Sequence, residues 1–428
     1  MHRVALLGGD GFIGWPLALR LALENSAQVL VVDSLLRRST DVAIGNASLL
    51  PIALPLQRVA AANAEAARRP GCAGKVTFVH LDAAKHPVAL VRELEAFAPT
   101  CVVHVAELRS APFSMRSAGA AQLTVANNVV ATSNLLAGMA HSPALRGVHV
   151  VHIGTMGVYG YDHQEGALVQ EGYIDATVDG RTRCMRAPAC PGSVYHATKV
   201  LDAGLFDVFA RLHGMRVTDL HQGIVWGSQT AETALAPHLR NRTAYDETFG
   251  TVVNRFAAMV ANGRRMPLYG GGEQRRAFIH LEDAVAAVAK IATAPWDPAA
   301  VAPGREVRIL NQVCQVASPL DIATWIRAAC EQTPSLAGVC SRMAEEHGED
   351  AEWHEAVPNP RTEAPNNVLC VANERWRAAS GSAAARQTEF AHGALAQLLQ
   401  EAAGAPPWES TVNVDTATLW PGRQSAAA

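Results

Sequence analysis

Three features of this chain predict an α/β fold built on a doubly wound parallel sheet. Short apolar runs alternate with helix-length stretches through the first 225 residues. A glycine-rich turn joins the first run to the first such stretch, and an acid closes the second run. Alternation at this spacing gives parallel strands linked by crossover helices.

The runs are Arg3–Leu7, Val29–Asp33, Lys75–His80, Cys101–Val105, Val148–Ile153 and Val217–His221. Helices are predicted near 12–24, 56–69, 87–97, 119–140 and 194–213. The segment Leu35–Leu54 exceeds an ordinary β–α loop. It reads as an insertion over the cofactor edge or against a partner subunit. After residue 225 the pattern changes. Polar, turn-rich blocks at 227–246 and 340–366 bracket predicted helices at 248–262, 282–293 and 319–331. The chain therefore divides into a nucleotide-binding domain, 1–225, and a smaller mixed α/β lobe, 226–402. The lobe closes over the carboxyl edge of the sheet, where ligands of open α/β sheets bind, and some of its segments return to the first domain's core. An extended tail, 403–428, with Pro406, Pro407 and Trp408, is expected to follow.

Composition narrows the function. Of 428 residues, 49% are hydrophobic and 18% charged, enough for a sizeable core and too apolar for wholesale disorder. With 36 basic and 39 acidic residues the net charge is −3. This lacks the basic excess that a nucleic-acid or membrane-surface protein needs. No apolar run reaches 18 residues, so no membrane-spanning helix is expected. The chain enters its first strand at once, with no signal peptide ahead of it, and a cytoplasmic location is expected. The eight cysteines form no C-x-x-C pair and no histidine pair accompanies them, so they read as reduced thiols and no metal is expected. Arginine outnumbers lysine 32 to 4, which makes a lysine inside a motif conspicuous.

The glycine turn is Gly8-Gly9-Asp10-Gly11-Phe12-Ile13-Gly14. Gly8 permits the tight turn, Gly11 the approach of a pyrophosphate, and Gly14 close helix–strand packing. The helix N-terminus faces the negative charge. Asp33, 19 residues past Gly14, is placed to bind a ribose 2′-hydroxyl, a charged hydrogen bond worth roughly 1.5–3 kcal/mol. The same carboxylate repels a 2′-phosphate and favours NAD over NADP, whereas Arg37 and Arg38 pull the other way. Asp82 closes the third run. It meets the adenine amino group or caps the following helix.

Tyr195-His196-Ala197-Thr198-Lys199 puts a phenol and an ammonium on one helical face, one turn apart. Tyrosine titrates near pH 10, and a nearby cation lowers this by roughly 1–3 units. The phenolate can then take a hydroxyl proton while hydride leaves the same carbon. Thr155, past the fifth run, can hydrogen-bond that hydroxyl.

Together these residues resemble the extended short-chain dehydrogenase/reductase superfamily, also called the NAD-dependent epimerase/dehydratase superfamily. Longer strings resemble its UDP-sulfoquinovose synthase branch. They are Gly14-Trp15, Val32-Asp33-Ser34-Leu35, Arg109-Ser110-Ala111-Pro112, Gly154-Thr155-Met156-Gly157, Glu171-Gly172-Tyr173-Ile174, Leu239-Arg240-Asn241-Arg242 and Pro358-Asn359-Pro360-Arg361. The resemblance covers about residues 2 to 375.

The resemblance implies an enzyme of nucleotide sugars, with a UDP-hexose as substrate and NAD tightly held and recycled. Tyr195, Lys199 and Thr155 would oxidise carbon 4. The ketone acidifies carbon 5, loss of the carbon-6 hydroxyl gives an enone, sulfite adds at carbon 6, and hydride returns. The implied NAD-binding set is Gly8, Asp10, Gly11, Phe12, Ile13, Gly14, Asp33, Ser34, Arg37, Asp82, Ala106, Tyr195, Lys199 and Gln222. The implied substrate-binding set is Arg109, Met156, Gly157, Asn254, Gln274, Arg276 and Arg361. Nucleotide-sugar 4,6-dehydratases carry Asp-Glu directly after the threonine, where this chain has Met156-Gly157. The carbon-5 base is then sought at His196 first, with His221 and Glu171 as rivals and Glu107 as a further candidate. Departures from the branch are Leu108, Val158, Ala189-Cys190, His221 and Trp226. They leave open a dehydratase or epimerase that uses the same 4-keto intermediate without sulfite. The superfamily also implies a homodimer paired through helices 119–140 and 194–213.

Overall fold

The structure is a computed structural model. It describes residues 2–160, 168–301, 305–359, 369–381, 390 and 392–405. The six predicted strands form within a residue or two of their expected bounds. They are β1 Arg3–Leu7, β2 Gln28–Asp33, β3 Lys75–His80, β4 Cys101–His104, β5 His149–Ile153 and β6 Arg216–Gln222. The predicted helices appear as α1 Gly14–Leu23, α3 Pro55–Arg68, α4 Pro87–Phe97, α5 Ala118–His141 and α6 Val194–His213, with α2, Leu36–Ala43, inside the insertion. A seventh strand, β7 Val307–Gln312, was not expected. It pairs with β6 from Val307↔Val217 to Gln312↔Gln222.

The sheet order is β7-β6-β5-β4-β1-β2-β3, and every pairing is parallel. Helices cover both faces, which is why β1, β4 and β5 are almost wholly buried and read as unbroken apolar runs. Strand order reverses between β1 and β4, which opens a crevice at their carboxyl ends.

Past β6 the chain forms α7 Val252–Ala261, α8 Leu281–Thr293 and α9 Pro319–Glu331. Residues of α8 pack into the same core as α1, β1 and β4. Strands Ile224–Trp226, Arg276–His280 and Gln315–Ala317 form a small mixed sheet. Its core gathers Trp226, Phe256, Phe278, Ile326 and Phe390.

One expectation needs correction. The block 340–366 is not turn-rich over its described part. Helix Ala337–His347 enters it because Val339 and Met343 form a buried stripe, and strand His354–Val357 follows. Glu171 is 3% exposed and leads into a hairpin, Tyr173–Val178 with Arg181–Arg186. That hairpin turns at Asp179-Gly180, both at positive φ, a dipeptide suited to a two-residue turn. Among the described residues no helix is long and apolar enough to cross a membrane. The predicted tail lies outside the described residues beyond 405.

Candidate active site

The crevice at the strand-order reversal is one continuous cavity. At its inner wall the glycine turn does what its spacing predicts. Gly8 sits at φ +87°, and a Cβ there would lie 2.6 Å from the Ala106 Cα. A Cβ on Gly14 would strike the Gly8 carbonyl. Gly11 is limited by the protein only at 3.2 Å from Gly8 O, so its bareness serves whatever enters the cavity. No side chain caps the start of α1, leaving its first N–H groups to an anion. Asp33 stands at the end of β2, where its oxygens accept the N–H groups of Asp10 at 2.9 Å and Leu35 at 2.7 Å. Ser34, Arg37, Asp82, Ala106 and Gln222 line the same cavity. This cradle fits the adenosine and pyrophosphate of a dinucleotide.

Two of these residues also do structural work. The Asp10 side chain binds Arg38 at 2.6 Å and Arg58 at 2.6 Å, and both arginines hold its carboxyl below the ordinary range against the opposing effect of burial. Asp82 Oδ1 accepts the N–H groups of Ala84 and Lys85, a capping turn. The insertion is tied down over the glycine turn. Arg38 bridges Asp10 and the Ala53 carbonyl, Arg242 pairs with Asp41 of α2, and Leu49 N–H donates to Thr243 O. Asn241 reaches the Phe12 carbonyl, and the Trp15 indole donates to Leu239 O. The string Leu239–Arg242 supplies these contacts. It locks the second lobe onto the nucleotide loop.

Thr155, Tyr195, His196 and Lys199 line the same cavity, as do Met156, Gly157, Arg109 and Arg276. Ser193 caps α6 and fixes this group. Its Oγ accepts the His196 N–H and lies 3.0 Å from His196 Nδ1. The Tyr195 and His196 rings are 5.1 Å apart. Thr155 caps the turn Met156–Tyr159 by accepting the Gly157 N–H, and it lines the cavity. Arg109 has its ring-facing contact with Phe12 at 5.0 Å. Burial, then the neighbouring Arg37, lowers its guanidinium to about 10, so an anion would be welcome beside it.

Other expected residues stand elsewhere. Glu171 does not line the cavity. Its carboxylate accepts the N–H groups of Asn311, Arg375 and Trp376. His221 is buried behind the site, with Nδ1 2.7 Å from the Tyr159 hydroxyl and Nε2 3.1 Å from Asp219. Asn254 is spent on both backbone groups of Gly227, and Gln274 donates to the Tyr269 carbonyl. Arg361 lies outside the described residues.

Lys199 is the surprise. Its ammonium is 3% exposed and ion-paired with Glu107. It also donates to the Ile153 carbonyl and lies 3.2 Å from His152 Nε2. His152 Nε2 is 2.9 Å from Glu107, and its Nδ1 is 2.8 Å from Asp219. Burial would raise the Glu107 carboxyl, but Lys199 and His152 bring it down to about 2. Burial and Lys199 push His152 down, but Asp219 and Glu107 hold it at about 9. Glu107, His152 and Asp202 offer ligand atoms within 4.8 Å of one another, a metal-like spacing, but here the Lys199 ammonium supplies the cation. His152, Asp202 and Asp219 escaped the sequence reading because buried polar residues inside strands and helices carry no spacing signature.

The family described as "NAD dependent epimerase/dehydratase family" matches residues 4–301. The chain is 36% identical over 362 residues to the chloroplastic UDP-sulfoquinovose synthase of Spinacia oleracea, covering 85% of this chain and 68% of that one. It is 35% identical over 334 residues to the UDP-sulfoquinovose synthase of Sulfolobus acidocaldarius, covering 77% and 79%. Solved structures share the fold at lower identity. A UDP-glucuronic acid 4-epimerase from Bacillus cereus, in complex with UDP-glucuronic acid and NAD, has TM-score 0.60 at 16% identity and covers 92% of this chain and 99% of that one. A UDP-glucose 4-epimerase from Brucella ovis with NAD has TM-score 0.62 at 16%, covering 95% and 99%.

Proposed function

The chain belongs to the NAD dependent epimerase/dehydratase family, in its UDP-sulfoquinovose synthase-like branch, and we propose that it remodels the sugar of a UDP-hexose by reversible oxidation at carbon 4. It is an NAD-dependent enzyme of nucleotide-sugar chemistry. The observation that supports the proposal is that Thr155, Tyr195 and Lys199 line the same cavity as the glycine turn and Asp33.

NAD, when bound, supplies the acceptor for the carbon-4 hydride and later gives that hydride back. The chain's own residues do the rest. Thr155 hydrogen-bonds the carbon-4 hydroxyl, and Tyr195 takes its proton. Lys199, held from behind by Glu107, lowers the cost of the phenolate. The carbon-5 proton then needs a base. Met156 and Gly157 offer none, while His196 lines the cavity beside Tyr195. Arg276 and Arg109 suit the diphosphate, and Arg361 is a second candidate. In the synthase-like reading, sulfite adds at carbon 6 after the hydroxyl leaves. A second reading omits sulfite. It is favoured by Lys199 being the only lysine along the cavity and by Val158, where the branch has an acid, packing in an apolar cluster.

Incubation with UDP-glucose, with and without sulfite, read by mass spectrometry, tests the reading. A sulfonated sugar formed only with sulfite supports the first form. A product that has lost water, or an epimer of unchanged mass separated by chromatography, formed regardless of sulfite, supports the second. No change to any UDP-hexose would overturn both. We further propose a homodimer and a cytoplasmic location. All eight cysteines are free thiols, as in a reducing compartment.

A further inference from the structure

Lys199 and Glu107 belong to a larger buried set of charges, of which the steps above use only those two. Glu107 follows β4, His152 is on β5, Lys199 and Asp202 are on α6, and Asp219 is on β6. All five side chains are 3% exposed or less. Four of them cancel. Lys199 and His152 are cations, and they face the anions Glu107 and Asp219, the last held well below the ordinary range by His221 and His152 in spite of burial.

Asp202 is the fifth and has no counter-charge of its own. It is 0% exposed, and neither of its oxygens receives a hydrogen bond. His152 Nε2 is 3.8 Å away and already turned to Glu107. The Thr132 hydroxyl on α5 favours the charged form, but as the weakest of the influences on it, and it donates to the Asn128 carbonyl at 3.2 Å. His104 on β4 stays uncharged, because burial lowers it to about 3. A carboxylate buried without donors is costly, and the protein relieves that cost by leaving a proton on it.

We propose that Asp202 is a positioning residue for the chemistry at carbon 4, acting through Lys199. With its proton, the four other charges balance, and the ammonium's attraction for the Tyr195 phenolate is undiminished. Without it, the cluster gains a negative charge that opposes the phenolate and strengthens the phenol's hold on its proton. The groups facing Asp202 are Glu107, His152, Thr132 and, on its own helix, Lys199, with His104 bonded to Thr132 and the Asp219–His221 pair beyond His152. Burial first, then the Glu107 charge, raises the Asp202 carboxyl to about 7. Its proton is therefore lost near neutral pH. Tyr195 must serve as base in the forward half of the cycle and as acid in the return half, so its proton affinity has to stay near the working pH.

The inference rests on reading Tyr195 and Lys199 as the proton-transfer pair, and its test separates the two. The purified full chain, carrying its cofactor, is titrated by ultraviolet absorbance of tyrosinate. Subtracting Tyr195→Phe isolates Tyr195. Asp202→Asn is expected to move the Tyr195 midpoint to lower pH, a change of roughly threefold or more in the acid constant. An unmoved midpoint overturns the proposal. Infrared difference spectra of the unaltered protein form a second arm that needs no variant to fold. A carboxylic-acid carbonyl band should vanish as pH rises through about 7. If no such band titrates there, the proposal also falls. Separately, UDP-glucose should produce the absorbance of reduced nicotinamide in the unaltered protein and not in Tyr195→Phe. If Tyr195→Phe keeps that signal, the reading of the pair fails, whatever Asp202 does.

Discussion

Ser193 holds His196 by two contacts, accepting its N–H at 3.2 Å and lying 3.0 Å from its Nδ1. The ring is thereby fixed at the start of α6, next to Tyr195 and in the cavity wall. For the proposed cycle this predicts a division of labour. His196→Ala should still reduce bound NAD when UDP-glucose is added. It should lose solvent-deuterium entry at carbon 5 by about 10²-fold or more. Exchange at an unaltered rate would remove His196 from the chemistry.

Tyr195→Phe should lower turnover by roughly 10²–10⁴-fold while the cofactor still copurifies. The phenol hydroxyl moves a proton, whereas the glycine turn and Asp33 hold the cofactor. A variant with a tenth or more of the normal rate would contradict the assignment.

Glu171 should behave as a brace. Glu171→Ala leaves the N–H groups of Asn311, Arg375 and Trp376 without their acceptor and should cost roughly 2–4 kcal/mol in denaturant unfolding. Single-turnover reduction of bound NAD in the folded fraction should change little. A large loss of chemistry with unchanged stability would return Glu171 to the list of base candidates.

His152 links stability to pH. Its folded pKa of about 9 stands above its ordinary 6.5, so it binds its proton more tightly when folded. The stabilisation is therefore complete below 6.5 and is lost as pH rises through about 9. Urea unfolding across this range should show stability falling with pH, and His152→Asn should flatten that slope.

The proposed homodimer would pair through two helices. On α5, Leu123, Val125 and Val130 are 38–40% exposed, and on α6 Leu201 and Leu212 are 53% and 66% exposed. Apolar residues in such number on neighbouring helices mark a contact surface. Light scattering should give twice the chain mass, and Leu201→Glu with Leu212→Glu should give the monomer.

Much of this was legible in the sequence, for identifiable reasons. β1, the glycine turn and Asp33 announce themselves because local sterics fix them. Gly8 and Gly14 have no room for a side chain, whatever the rest of the chain does. Tyr195 and Lys199 share a helix, so their spacing is visible. β7 was hidden because its partner β6 lies on the far side of an intervening lobe, and pairing at that range leaves no local mark. His221 and Glu171 looked reactive because of their residue types. Only the contacts of Tyr159, Asp219, Asn311 and Trp376 show them already committed.

The late arrival of β7 also orders the birth of the protein. Synthesis runs from the N-terminus, so six strands leave the ribosome before Val307–Gln312 exists. Until then β6 is an open edge, with the backbone groups of Val217 to Gln222 waiting for a partner. The nascent chain must guard that edge against neighbouring chains until its own last strand arrives. A stop codon introduced just before residue 307 should therefore yield a product that aggregates, even though it contains every residue of the glycine turn and of the Tyr195–Lys199 helix.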